Sequence, residues 1–452
     1  MRFVRRRWAP VAALVAATST AVAAPYEDDP EIVAALDALP AGGSLLLPKL
    51  RVECGGDERF GFARFGPGQR DYCNKMPYAP ERETALYAGG NHMVPHRMND
   101  VWEFHLGSNT WHLLHAPDGG NAGAHKAAYF LTSRTLVRDP DAELDEKQRG
   151  QIAAYREWWG EHVEFEDGHL QTKTGGPIMP AHTWDGFTYD AAAKKMLWGM
   201  GASPAGQLST HARFTGKPVE HWETKADPGY TPMWTFDPQA KRWEHYRTAK
   251  SRAALRGMGA SMTYLPDSKR TLWYVAAQNV SPHAFEMWSY DAVADEWNEL
   301  KPNGGKSISE LSKNEGVAPG SELQAAYSPK HRKLVAVLEN DTFVYDVQND
   351  RWSKVATDGR IFGHDAKSVF GYDPGSDQFL LAFPPGGKGK DLKLAVFSLA
   401  DEKWRIVEPG GAGAIPPTKY GSYAGYFDPK HGVFVVQGRY VDRVWVYRPR
   451  RG

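Results

Sequence analysis

The chain has 452 residues, with Lys+Arg and Asp+Glu equal at 54 each, and is long enough for one large repeat domain or two or three ordinary ones with an ample core. Four of the basic residues lie in the first seven positions, so the remainder is mildly acidic. Such a chain has no global field for nucleic acid or an anionic membrane, and any polyanion must be held by local arginines and histidines.

In chain order, a basic start (Arg2, Arg5, Arg6, Arg7) leads into an apolar run from Trp8 to Ala17, then Ala21-Val22-Ala23. This predicts a secretory signal peptide over 1–23 and a periplasmic or secreted protein. The run is too short for a membrane span, and no cysteine follows it to carry a lipid; the paired arginines leave twin-arginine export open. Residues 24–43 form an N-terminal segment with an acidic turn and short helix, and Ser44 to Val52 reads as a strand. The only cysteines, Cys54 and Cys73, are expected to form a structural disulfide in an oxidising compartment, worth roughly 3 kcal/mol for a loop of about 20 residues.

From here the chain repeats itself. Asn99 to Trp111 (NDVWEFHLGSNTW) joins an aromatic strand, a polar turn and a second tryptophan. Trp234 to Trp243 and Trp288 to Trp297 keep both tryptophans. Phe343 to Trp352 and Ala395 to Trp404 keep the second, and a sixth copy at Trp445 and Tyr447 stops before its second tryptophan. Alternating with these are six aromatic turn markers at Tyr78, Tyr189, Tyr264, Tyr327, Tyr372 and Phe427, each followed by an apolar strand: 84–90, 195–201, 270–276, 333–339, 378–384 and 432–438. Four short antiparallel strands per unit predict an all-β, six-bladed propeller over 44–452. The missing last tryptophan predicts that the strand at Ser44 closes the final blade.

The pattern resembles kelch-repeat propellers, within the wider exported bacterial kelch and galactose-oxidase-like superfamily. Blade 1 matches best, with Gly89-Gly90, Trp102 and Trp111. Galactose-oxidase-type copper chemistry needs a cysteine joined to a tyrosine, and both cysteines are assigned here to each other. Periplasmic sialate mutarotases are also exported six-bladed kelch propellers, more compact than this chain.

The longest intervals between markers, Tyr78 to Tyr189 and Tyr189 to Tyr264, hold insertions at 116–179 and 202–232. The first carries a helix expected to start at Asp139-Pro140 and run to Trp159. Connections from strand d to a and from b to c leave a blade on the same face, so both insertions should wall a cleft over one channel mouth. By this topology, ten of the 16 histidines fall on that face, partly because it carries more loop residues.

Counting back seven or eight residues from each marker puts Arg70, Asp71, His182, Arg256, His364, Asp365, Lys419 and Tyr420 at the channel. This mixed ring suits an acidic, oxygen-rich ligand such as a uronic or sialic acid; alternatively the groups pair with one another and with channel water. His92 and His96 are candidates for a base or for divalent-metal ligands, and their spacing does not distinguish the two. In 180–186 (PAHTWDG), His182, Trp184 and Asp185 combine a titratable group, an aromatic for sugar stacking or blade packing, and a carboxylate. The candidate catalytic set is His92, His182, Tyr230 and Arg256; the substrate-binding set is Trp184, Asp185, Arg252, His283, His364, Asp365 and Tyr420. A His/Tyr/Arg set of this kind resembles that of propeller polysaccharide lyases such as ulvan lyases, which implies β-elimination or isomerisation of an acidic polysaccharide or oligosaccharide. The other expectation is a non-catalytic scaffold that docks a protein partner.

Overall fold

The computed structural model describes residues 24–56, 61–70, 73–90, 98–118, 126–166, 169–178, 180, 183–199, 204–217, 233–245, 261–276, 285–305, 324–338, 341–356, 368–385, 392–418 and 422–451. Six small antiparallel sheets form a ring as the blades of a six-bladed β-propeller. In blade 1, strands a to d are Tyr78–Ala79, Thr84–Ala88, Val101–His105 and Thr110–His115. Blade 2 has Phe187–Asp190, Lys195–Gly199, Met233–Asp237 and Arg242–His245; blade 3 has Ser261–Leu265, Arg270–Ala276, Phe285–Asp291 and Glu296–Leu300. Blade 4 has Gln324–Ser328, Lys333–Leu338, Asp341–Asp346 and Arg351–Lys354; blade 5 has Val369–Asp373, Gln378–Phe383, Lys393–Ser398 and Lys403–Val407. Blade 6 takes strands a to c from Tyr423–Asp428, Val433–Gly438 and Arg443–Tyr447, and its fourth from Gly43–Lys49.

The repeated tryptophan has one job in five blades. It stands opposite an aromatic residue on strand c: Phe104↔Trp111, Phe236↔Trp243, Tyr290↔Trp297, Tyr345↔Trp352 and Phe397↔Trp404. Directly opposed aromatic pairs stabilise a sheet, and both rings also pack between blades. Blades 3 and 4, for example, share a core of Leu272, Tyr274, Met287, Leu334, Tyr345 and Trp352. In blade 6 the register places Ser44 opposite Tyr447, so the partner that elsewhere is tryptophan comes from the N-terminal strand.

Each a-to-b hairpin needs one residue in the left-handed region. Glu83, Lys194, Lys269, Arg332 and Asp377 hold it at φ between 53° and 57°, and Gly432 holds it at 63°. Glycine usually fills that conformation, and because five of the six turns place a side chain there they do not announce themselves through glycine. Aspartates preceding the turns help: Asp190 accepts from the amides of Ala192 and Ala193 at 3.0 Å, and in the c-to-d turn of blade 3 Asp291 repeats the arrangement with Val293 and Ala294.

Ring closure extends beyond the expected strand. Leu45 pairs with Val446 and Leu46 with Trp445; the chain then continues into Arg51–Glu53, which runs parallel to strand d of blade 1 (Val52↔Trp111). One segment therefore stitches the last blade to the first. Tyr26 adds to the clasp: its hydroxyl donates to Glu103 Oε2 at 2.8 Å and its ring stacks on His112 at 3.6 Å. Asp28 meets Lys430 of blade 6 at 2.9 Å.

The expected disulfide is absent. Cys54 and Cys73 are both buried thiols. Cys54 follows the outermost strand of blade 1, whereas Cys73 donates to Ala88 O at 3.1 Å on strand b, three strand spacings away and beyond disulfide reach. Burial pushes the Cys73 thiol up to about 12, with Arg70 opposing, so it is inert. The pinning expected of a disulfide is done by the Arg51–Glu53 strand.

Both insertions fold into one cap. The long helix is Glu146–His162, capped by Asp145 with a reciprocal Gln148 contact. It starts later than Asp139 because that capping box, not the Asp-Pro pair, satisfies its first amides. It is followed by the hairpin Val163–Glu166 and His169–Thr172, and packs against Pro204–Thr215 of the second insertion. Tyr155, Trp158, Trp159, Leu208 and Phe214 share this core. Trp159 Nε1 donates to His211 Nδ1 at 3.1 Å, and Thr132 bonds Thr210. At the base, Asn99 Nδ2 donates to Asp118 and to Gly175 O while its own carbonyl accepts from Trp243 Nε1. No described helix is long and apolar enough to cross a membrane.

Candidate functional site

Of the residues singled out by sequence, His92, His182, Tyr230, Arg252, Arg256, His283, His364, Asp365 and Tyr420 lie outside the described residues, as do His96 and the 1–23 leader. Trp184 and Asp185 are described and sit at the inner edge of blade 2. Their approach is fixed by the double glycine of blade 1: Gly90 N donates to Thr183 Oγ1 at 2.9 Å, and Thr183 N donates to Gly90 O at 3.0 Å. Gly89, at φ 86°, passes so close to the Thr183 side chain that a Cβ would collide with it. Trp184 is buried, with φ 45°.

Asp185 belongs to a polar belt that crosses the channel and involves all six blades. Ser261 Oγ donates to Asp185 Oδ2 at 2.5 Å, and Lys75 Nζ approaches the same oxygen at 3.3 Å while also donating to Met262 O. Asn74 Nδ2 and Gln324 Nε2 both donate to Ser368 O at 2.5 Å. Gly425 of blade 6 exchanges backbone bonds with Asn74 and Met76. Lys75, Ser261, Gln324 and Ser368 were missed by sequence reasoning. Their signal is position, since each precedes an aromatic marker by three or four residues rather than seven or eight. Arg70, placed at the channel by the longer count, is instead fully buried in blade 1 against Asp100.

Burial pushes the Asp185 carboxyl up to about 6, against the pull of Lys75 and Ser261. It pushes the Lys75 ammonium down, against Asp185. Between the ordinary carboxyl value of 3.8 and about 6, the folded chain holds a proton that the unfolded chain has released, so this group's contribution falls as pH rises through that window. In thermal melts from pH 4 to 7, Asp185→Asn is expected to remove that downward slope; an unchanged profile refutes it.

On the a-to-b side of the belt the channel widens into a cavity of about 360 Å³, walled by the marker tyrosines with Phe370, Phe427 and the turn prolines. Three of the marker tyrosine hydroxyls are tied to carboxylates at the rim: Tyr327 to Asp267 at 2.9 Å, Tyr372 to Asp377 at 2.8 Å and Tyr189 to Glu81. A second hollow of about 450 Å³ lies between blades 5 and 6, lined by Leu392, Leu394, Val407, Ile415 and Trp445. Among the described residues, no three His, Cys, Asp or Glu side chains are grouped to hold a metal ion.

The arrangement defines a six-bladed β-propeller with one capped face and one open, tyrosine-lined mouth. Neither protein-family models nor curated protein sequences gave a match to the chain.

Proposed function

We propose that the protein is an exported, kelch-type binding propeller that takes an acidic glycan on its capped face. The supporting observation is that the two insertions, separated in sequence by two strands of blade 2, pack around one aromatic core on the same side of the ring. A scaffold that builds a lobe over one mouth of its channel puts its recognition there. The ligand class rests on the sequence, which concentrates His92, His182, Tyr230, Arg252, Arg256, His283 and His364 in the segments joining strands on that side. Arginine and histidine among tyrosines neutralise and orient carboxylates, and the same groups would move protons if the bound uronate is cleaved.

The test is a panel of uronic-acid polysaccharides titrated against the mature protein, with unsaturated-product absorbance and reducing ends followed with and without chelator. Arg256→Ala is expected to weaken binding about 10- to 100-fold, the scale of a lost charge-assisted pair. Binding without turnover identifies a lectin-like module. No binding to any polyanion, with a protein partner retained on the cap, assigns the scaffold role instead.

A further inference from the structure

The open mouth of the channel, on the face away from the cap, is a built cavity that the capped-face reading leaves unused. Its volume, about 360 Å³, falls within the range of roughly 300–1,000 Å³ typical of small-molecule sites. Its inner end is polar. Thr263 lines the cavity, is 8% exposed, and its Oγ1 has no hydrogen-bond partner among the described residues. A buried hydroxyl left in that state costs about 1–3 kcal/mol, which a ligand oxygen would relieve once the Thr263 side chain turns its hydroxyl toward the cavity. Beside it, Lys75 Nζ donates to Asp185 and to Met262 O, leaving one of its three N–H groups for a ligand.

Charge selects the class of ligand. Asp185 offsets the Lys75 ammonium at the floor, so a bare anion or cation entering there would lose its hydration without gaining a net opposite charge. Several tyrosine hydroxyls are already bonded to rim carboxylates, so those rings contribute mainly apolar surface to the wall. We propose that this cavity binds a neutral, monosaccharide-sized hydroxylated ligand, with its hydroxyls on Thr263 and Lys75 and its C–H face against the tyrosine and proline wall.

The experiment is saturation-transfer NMR and calorimetric titration of the mature protein with D-glucose, D-galactose and N-acetyl-D-glucosamine, with D-glucuronate as the charged comparator. At least one neutral sugar should bind saturably. Thr263→Val, which keeps the shape and removes the hydroxyl, should weaken it about tenfold without lowering the melting temperature. Tyr264→Ala at the wall should weaken it as well, and Arg256→Ala on the capped face should leave it unchanged. Failure of all three neutral sugars to bind, glucuronate binding that survives Arg256→Ala but is weakened by Tyr264→Ala, or binding indifferent to Thr263→Val overturns the proposal. The capped-face reading survives any of these, since it is tested by polyanions and by Arg256.

Discussion

Removal of residues 24–53 is expected to abolish the cooperative unfolding transition of the whole propeller. The segment supplies strand d of blade 6 and the fifth strand of blade 1, so its loss opens the ring at both sides of one seam. It also strips cover from Trp445, Val446 and Tyr447, all essentially buried, and leaves their strand as a bare apolar edge. Ile32, Leu36, Leu47 and Leu50 are themselves buried; at about 1.5–3 kcal/mol each, they alone represent roughly 6–12 kcal/mol. That is comparable to the entire stability of an ordinary domain, about 5–15 kcal/mol. The truncated chain should therefore elute as aggregate and show no sharp melt by circular dichroism. Adding the 24–53 segment as a separate peptide during refolding should restore a melt, which separates ring closure from a general failure to fold. The milder Leu47→Ala should cost about 2–5 kcal/mol. A truncated chain that melts like the intact one would show that closure is dispensable.

That closing strand was legible because periodicity exposes what is missing: five copies end in a second tryptophan and the sixth does not. The blades were legible for the same reason, and the six apolar strands fall where the repeat put them. Features that depend on a single residue's environment were not. Cys54 and Cys73 looked paired because they are two and close in sequence. Phe62 between them, however, packs against Trp102, and the thiols lie three strand spacings apart in one sheet. The Arg51–Glu53 strand was folded into a longer reading of one strand, because the break is the single residue Leu50 and Pro48, the breaker signal beside it, was read through. The site was least legible. Asp185 was read as a carboxylate at a strand entrance that contacts substrate, but its partners Lys75 and Ser261 come from other blades, and sequence spacing within one repeat cannot reveal contacts across a channel.

The second large effect is expected at Arg70, which the sequence assigned to the channel and the fold commits to the interior of blade 1. Arg70 Nη2 meets Asp100 Oδ2 at 2.5 Å with both side chains fully buried. Its other terminal nitrogen donates to Gly89 O, and Trp102 Nε1 donates to the same Asp100 oxygen at 2.7 Å. The guanidinium also lies over the Tyr87 ring at 5.8 Å. Arg70→Met leaves a carboxylate stranded in a low-dielectric interior, so urea denaturation should show a loss of about 3–5 kcal/mol. Arg70→Lys should recover only part of it, because an ammonium is a point charge and cannot span Asp100 and the Gly89 carbonyl as the planar fork does. The double variant Arg70→Met/Asp100→Leu should be more stable than Arg70→Met alone, since removing both charges removes the desolvation cost along with the attraction. If the single variants unfold within about 0.5 kcal/mol of the parent, the range of an ordinary surface change, the pair does not hold blade 1 together, and Arg70 returns to the candidates for a ligand contact.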